Sequence, residues 1–194
     1  MKRGRLMMIA RPQVTTAVRM SAVPVMAGWP AVGADASWPH SNLHQSSTLD
    51  HAPSDEVALV RALQRVDSPA FDMLFNRMTG DDSAEGHWTL RAKGRPRGFT
   101  TLLTDVQTAL ASEGVEDRFG HRPHVTLCYR APRVAQGRYW LPDPIPWCVD
   151  AIELVMAETH PYRYVTIARR PLRAPAQRDL FSAIPSVHPE HAAT

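Results

Sequence analysis

The chain has 194 residues, a mass of 21.6 kDa and a formal net charge of +3. That length suits one domain, or two small lobes on a shared core, and 44% hydrophobic with 21% charged residues excludes a wholly disordered chain. No stretch approaches the ~20 uncharged apolar residues of a membrane-spanning helix, and a pI of about 9.2 suits an anionic ligand without specifying one.

The start, Met1-Lys2-Arg3-Gly4-Arg5, is basic, but the apolar run Leu6-Met7-Met8-Ile9-Ala10 stops at Arg11-Pro12. It is too short for a secretory leader and reads as a buried strand. The apolar stretch from Met20 to Ala27, with Ala34-Asp35-Ala36 beyond it, mimics a cleavage site, but Arg11 and Arg19 intervene. The expectation is a cytoplasmic protein. Val14 to Met26 has helical composition, with Pro24 expected to end or kink it. Gly28 to Ser41 reads as a loop, and Leu43 to Leu49 as a strand. Ser54 reads as the N-cap of a helix with an apolar face of Val57, Leu59, Val60, Leu63 and Val66, stopped by Asp67-Ser68-Pro69. Phe71 to Arg77 and His87 to Ala92 read as strands. Phe99, Leu102, Leu103, Val106 and Leu110 mark the clearest helix, ended by Gly114.

His124 to Tyr129 is a strand by residue type. Ala131 to Pro146 reads as a Pro-rich loop, Ile152 to Met156 and Tyr162 to Ala168 as strands, and 173–194 as a tail after a single bilobal domain over 1–172. The order implies an α+β fold with helices packed outside antiparallel sheet. Cys128 and Cys148 form no Cys-x-x-Cys pattern; they read as two buried free thiols, not zinc ligands. The His40/His44 and His121/His124 pairs have spacings that a helical metal site would use, but adjacent prolines disfavour helix, so no metal is expected.

His-x-Ser/Thr on a strand has a chemical meaning. Residues i and i+2 share a face, so an imidazole that moves protons near neutral pH stands beside a hydroxyl that can bind a phosphate oxygen. With 9 His in 194 residues, chance gives about one such tripeptide. Three occur: His44-Gln45-Ser46, His87-Trp88-Thr89 and His124-Val125-Thr126. Arg122-Pro123-His124-Val125-Thr126-Leu127 resembles the second motif of the two-histidine phosphoesterases, the superfamily of bacterial 2'-5' RNA ligases and RNA 2',3'-cyclic phosphodiesterases. Asn42-Leu43-His44-Gln45-Ser46 resembles the first motif, although Ser47-Thr48-Leu49-Asp50-His51 behind it is more polar than the family pattern. The resemblance runs from Leu6 to Leu172.

It implies a bilobal fold with a central cleft and a metal-independent RNA 2',3'-cyclic phosphodiesterase. The product would be a 2'-phosphomonoester, with 2'-5' ligation as the related reaction. His44 and His124 would be the catalytic acid and base. Ser46 and Thr126 would bind phosphate oxygens, with Arg130 as a further phosphate ligand. His87 is the substitute for His44. No cofactor is implied. The partner is RNA ending in a cyclic phosphate, or a small nucleotide, bound by a monomer. Tyr129 or Trp88 would stack a terminal base, and the run Arg91, Lys93, Arg95 and Arg97 would touch RNA backbone. The alternatives are a diverged module of the same fold that binds RNA ends or nucleotides without turnover, and a hydrolase of another small phosphodiester.

Overall fold

Leu6 to Ala10 are buried without a break, as a strand must be when both its faces are covered. In the computed structural model, which describes residues 2–29, 39–80, 87–116, 121–128, 137–159 and 162–175, that run is the central strand β2 (Arg5–Ala10). The other elements are β1 (Lys2–Arg3), α1 (Val14–Met26), β3 (Ser41–Gln45), β4 (Asp50–His51), α2 (Pro53–Arg65), β5 (Phe71–Gly80), β6 (Trp88–Ala92), α3 (Arg97–Ser112), β7 (His124–Cys128), β8 (Gly137–Val149), β9 (Ala151–Thr159) and β10 (Tyr162–Pro171). Two antiparallel four-stranded sheets carry the fold, in the orders β10-β9-β2-β3 and β7-β6-β5-β8. β1 and β4 form a small extra ladder. The architecture is the expected α+β one, with each sheet covered by helix on one face.

One main core joins both sheets. It takes Leu6 and Met8 from β2, Phe75 and Met78 from β5, Leu90 from β6 and the apolar faces of all three helices. In α3 the buried residues are Phe99, Leu102, Val106, Ala109 and Leu110, the helical stripe visible in the sequence. Its end is a Schellman motif: the Gly114 N–H donates to the Ala111 carbonyl and the Val115 N–H to that of Leu110. Gly114 supplies the positive φ of 71° that this turn needs. A second, smaller cluster of Met7, Ile9, Val155 and Ala157 covers the other face of β2 and β9.

Several expectations change. α1 runs through Pro24 to Met26; so close to the helix end, the proline deletes one hydrogen bond without stopping the chain. α2 starts at Pro53, not after Ser54. Its N-cap is Ala52, whose backbone N–H donates to the Asp55 carboxylate at 2.9 Å. That is half of a capping box, and Pro53 fits the first helical position because it has no N–H to satisfy there. The strand expected over Leu43 to Leu49 is Ser41–Gln45: it starts two residues earlier and ends four residues earlier.

The larger correction is β8, most of which fell in the stretch Ala131 to Pro146 that reads as loop because of its prolines. It lies at a sheet edge, where only one side of the strand must supply ladder bonds. Pro146 stands opposite Leu74, while Pro142 and Pro144 fall in a bulge between the pairs Phe75–Ile145 and Arg77–Trp140. Edge placement also exposes Cys148, so only Cys128 is the expected buried thiol. The structured chain does not stop at Leu172. The Arg173 N–H donates to the Ser68 carbonyl, and its side chain reaches the carbonyl and carboxylate of Asp67. Residues 176–194 lie outside the described residues.

Candidate active site

β7, β6 and β5 place a row of polar residues on the sheet face away from the main core. Register decides which side chains meet. Arg91 stands opposite both His124 on β7 and Arg77 on β5, and Arg77 stands opposite Trp140 on β8. Two residues along, Thr89 stands opposite both Thr126 and Thr79, and Thr79 opposite Arg138. Directly opposed residues share a face, so two rows run side by side: His124, Arg91, Arg77, Trp140, and Thr126, Thr89, Thr79, Arg138. The alternate residues Val125, Leu90 and Met78 fill the core beneath. Thr89 and Thr126 are nearly buried, and the Thr79 and Thr89 hydroxyls share a 3.0 Å hydrogen bond.

His124 is fixed in one tautomer. Its Nδ1 lies 2.7 Å from the Arg122 carbonyl, which can only accept, so Nδ1 carries the proton and Nε2 presents a lone pair. The imidazole is held below its ordinary pKa of 6.5, first by burial and further by Arg91, His121 and His87; the Arg122 carbonyl opposes this in part. The group is thus a neutral base at neutral pH, beside a guanidinium and two hydroxyls.

His44 sits elsewhere on the fold. A bulge in β3 pairs Ile9 with Asn42 and Met8 with His44, leaving Leu43 as the extra residue. His44 therefore shares a side with Met8 of the main core. It is 2% exposed and lines a cavity of about 450 Å³ with Ser46, His51, Asp55, Leu59 and Glu113. His124 and Thr126 are not among the residues lining it, although β3 does run against β7. The Ser46 hydroxyl accepts from the Leu6 N–H and donates to the Thr48 carbonyl, both at 3.1 Å.

The third tripeptide gains most from the structure. His87 precedes β6, two residues before Thr89, and lies close enough to His124 to act on its charge. Thr89 faces Thr126 in register, so His87-Trp88-Thr89 and His124-Val125-Thr126 meet at their threonines and run in opposite directions from that pair, with a histidine at either end. Trp88 points the other way: it is 1% exposed and packs on Trp29, with ring centroids 4.6 Å apart. That removes it as a base-stacking surface. Arg130 and Tyr129 lie outside the described residues. His40, considered with His44 for a metal, packs edge-on against Tyr164, with Nε2 3.2 Å from the hydroxyl. Among the described residues no group of three or more His, Cys, Asp or Glu is arranged to hold a metal ion. Sequence reading missed that Thr89, Thr79 and Arg77 share a sheet face with His124; the recurring tripeptide at His87 was the available signal.

No protein-family model matches the sequence, and no curated protein does. Solved structures do. E. coli LigT complexed with 3'-AMP superposes with a TM-score of 0.71 at 16% identity, over 88% of this chain and 99% of that one. The chain has the LigT fold. TT0787 of Thermus thermophilus matches at a TM-score of 0.60 and 20% identity, over 88% of this chain and 98% of that one. The PDE domain of MHV ns2 matches at 0.50 and 17%, over 80% and 99%. The LigT fold thus accounts for nearly the whole described chain.

Proposed function

We propose that the chain is a phosphodiesterase that opens a 2',3'-cyclic phosphate at an RNA end to a 2'-phosphomonoester, without needing a metal. The observation that carries this reading is the register of Thr89 against Thr126, with His124 and Arg91 paired beside them. In this reading the phosphate rests on the two threonine hydroxyls. His124 Nε2 takes a proton from water as the water oxygen bonds to phosphorus. The bond from phosphorus to the 3'-oxygen breaks, and a second histidine gives that oxygen a proton. Arg91 and the hydroxyls stabilise the charge that builds on the non-bridging oxygens. With an RNA 5'-hydroxyl in place of water, the same displacement makes a 2'-5' linkage. The nucleotide complexes of LigT, with 3'-AMP, ATP and NADP+, support a nucleotide occupant.

Two histidines compete for the role of acid. The sequence motif favours His44, on the other sheet; the pairing of Thr89 with Thr126, which puts His87 at the opposite end of the threonine pair from His124, favours His87. The test is turnover of a short RNA ending in 2',3'-cyclic phosphate, with EDTA present. Wild type is expected to yield the 2'-phosphate and His124→Ala to lose at least a hundredfold. His44→Ala and His87→Ala then identify the acid by which of them matches that loss. No turnover by folded wild type would overturn the reading. The commitment of the Ser46 hydroxyl to Leu6 and Thr48 favours a second reading, a nucleotide-binding module without turnover. Binding of the same RNA without hydrolysis would establish it.

A further inference from the structure

The two polar rows continue past the phosphate position. Beyond Arg91 and Thr89 they reach Arg77, Arg138 and Trp140. Strands lie about 4.8 Å apart, so Arg91, Arg77 and Trp140 stand roughly 5, 10 and 14 Å from His124 across the sheet. A depression of about 480 Å³ occupies this stretch. Five arginines line it, Arg77, Arg91, Arg95, Arg122 and Arg138, with Thr79 among them and no acidic side chain among the described residues. It shares a wall with the candidate base, because Arg122 supplies the carbonyl that fixes His124. At its far end Trp140 is 56% exposed, and the guanidinium carbons of Arg77 and Arg138 each lie 5.7 Å from its ring centroid.

An exposed tryptophan flanked by arginines, at the end of a trough lined by five arginines, is the chemistry of a single-stranded nucleic-acid track: guanidinium groups for backbone phosphates and a ring face for a base. We infer that this trough binds the nucleotides upstream of the reacting end, so that the substrate is an oligonucleotide and not a mononucleotide. The inference rests on the His124 face being the phosphodiester site. A cyclic mononucleotide fills only the His124 end. A longer strand adds phosphate contacts at Arg77 and Arg138 and one base stacked on Trp140.

The experiment has two arms. The first compares kcat/KM for adenosine 2',3'-cyclic phosphate with that for a trinucleotide ending in the same group. The second measures binding of a fluorescein-labelled single-stranded RNA hexamer with a 3'-phosphate by anisotropy across salt concentrations. Wild type is expected to favour the trinucleotide. Trp140→Ala is expected to cut the trinucleotide-to-mononucleotide ratio about tenfold, the order of one lost stacking contact. Arg77→Gln and Arg138→Gln are expected to weaken hexamer binding and each make the slope of log affinity against log salt shallower by about 0.7. Arg77→Lys, which keeps the charge, is expected to restore most of the slope. Equal kcat/KM for the two substrates, or wild-type hexamer affinity and slope in the glutamine variants, overturns the trough. Absence of turnover alongside the expected binding pattern overturns the hydrolytic reading and leaves the trough standing.

Discussion

Replacing either paired threonine with valine separates the chemistry of this site from its stability. Valine keeps the β-branched shape and removes only the hydroxyl. Thr126 is 8% exposed, and its hydroxyl makes no hydrogen bond to the described residues. Thr126→Val therefore breaks no bond in the free protein and buries one methyl, worth ~0.8 kcal/mol. For a chain of this size that raises Tm by about 2–3 °C. Thr89 differs, because its hydroxyl bonds that of Thr79 at 3.0 Å. Thr89→Val loses roughly 1–2 kcal/mol through that bond and the orphaned Thr79, against the same methyl gain, and melts about 2–8 °C below Thr126→Val. Activity is expected to fall in both. A hydroxyl bonded to a phosphate oxygen is worth about 1.5–3 kcal/mol, or roughly 10- to 150-fold in kcat/KM. Thermal melts and steady-state kinetics on the cyclic-phosphate RNA measure the two effects independently. A Thr126→Val protein that melts several degrees low while keeping wild-type kcat/KM would refute the reasoning, since its hydroxyl would then serve the fold and not the substrate.

The pH profile tests the base. A lowered pKa on His124 keeps it neutral, and able to accept a proton, to lower pH, so kcat/KM should rise with pH along a limb centred below 6.5. Arg91→Gln removes one of the positive neighbours and should move that limb upward; a downward shift would contradict the assignment. The same lowering means that the unfolded chain takes up this proton first as pH falls. Native stability should therefore drop below about pH 6.5, and urea titrations should show a smaller drop in His124→Gln. Gly98 in the first turn of α3 lies against the Phe71 ring with no room for a Cβ, so Gly98→Ala should destabilise by ~1–3 kcal/mol in denaturant titration. His51 is 2% exposed with neither ring nitrogen bonded to the described residues. His51→Leu should therefore raise Tm by about 2–4 °C, measured by calorimetry.

What the sequence could convey depended on whether the deciding contact was local. The stripe of α3 and its Gly114 stop are local, and they were legible. So was β7, because Val125 and Leu127 alternate with His124 and Thr126. The start of α2 was displaced because Ser54 and Ala52 compete for the cap and only Asp55, reaching back, decides between them. β8 was hidden because a proline signals a break unless the strand is known to lie at an edge, and edges are a property of the whole sheet. The site follows the same rule. The pairing of His124 with Thr126 could be read from one tripeptide. The opposition of Thr89 to Thr126 and of Arg91 to His124 arises from inter-strand register, which no window of sequence encodes. The side on which His44 lies turns on one bulge residue, Leu43, that shifts the alternation of β3 by one place.

The prolines of β8 carry a consequence for how the protein behaves in a crowded tube. A free sheet edge is a template on which a second chain can add its own strand and seed aggregates. Here the outermost strand offers a misaligned rim: Pro146 has no hydrogen to donate, and the Pro142–Pro144 bulge spoils the spacing that an incoming strand would have to match. The same residues that obscure this strand to a reader of the sequence obscure it to other chains.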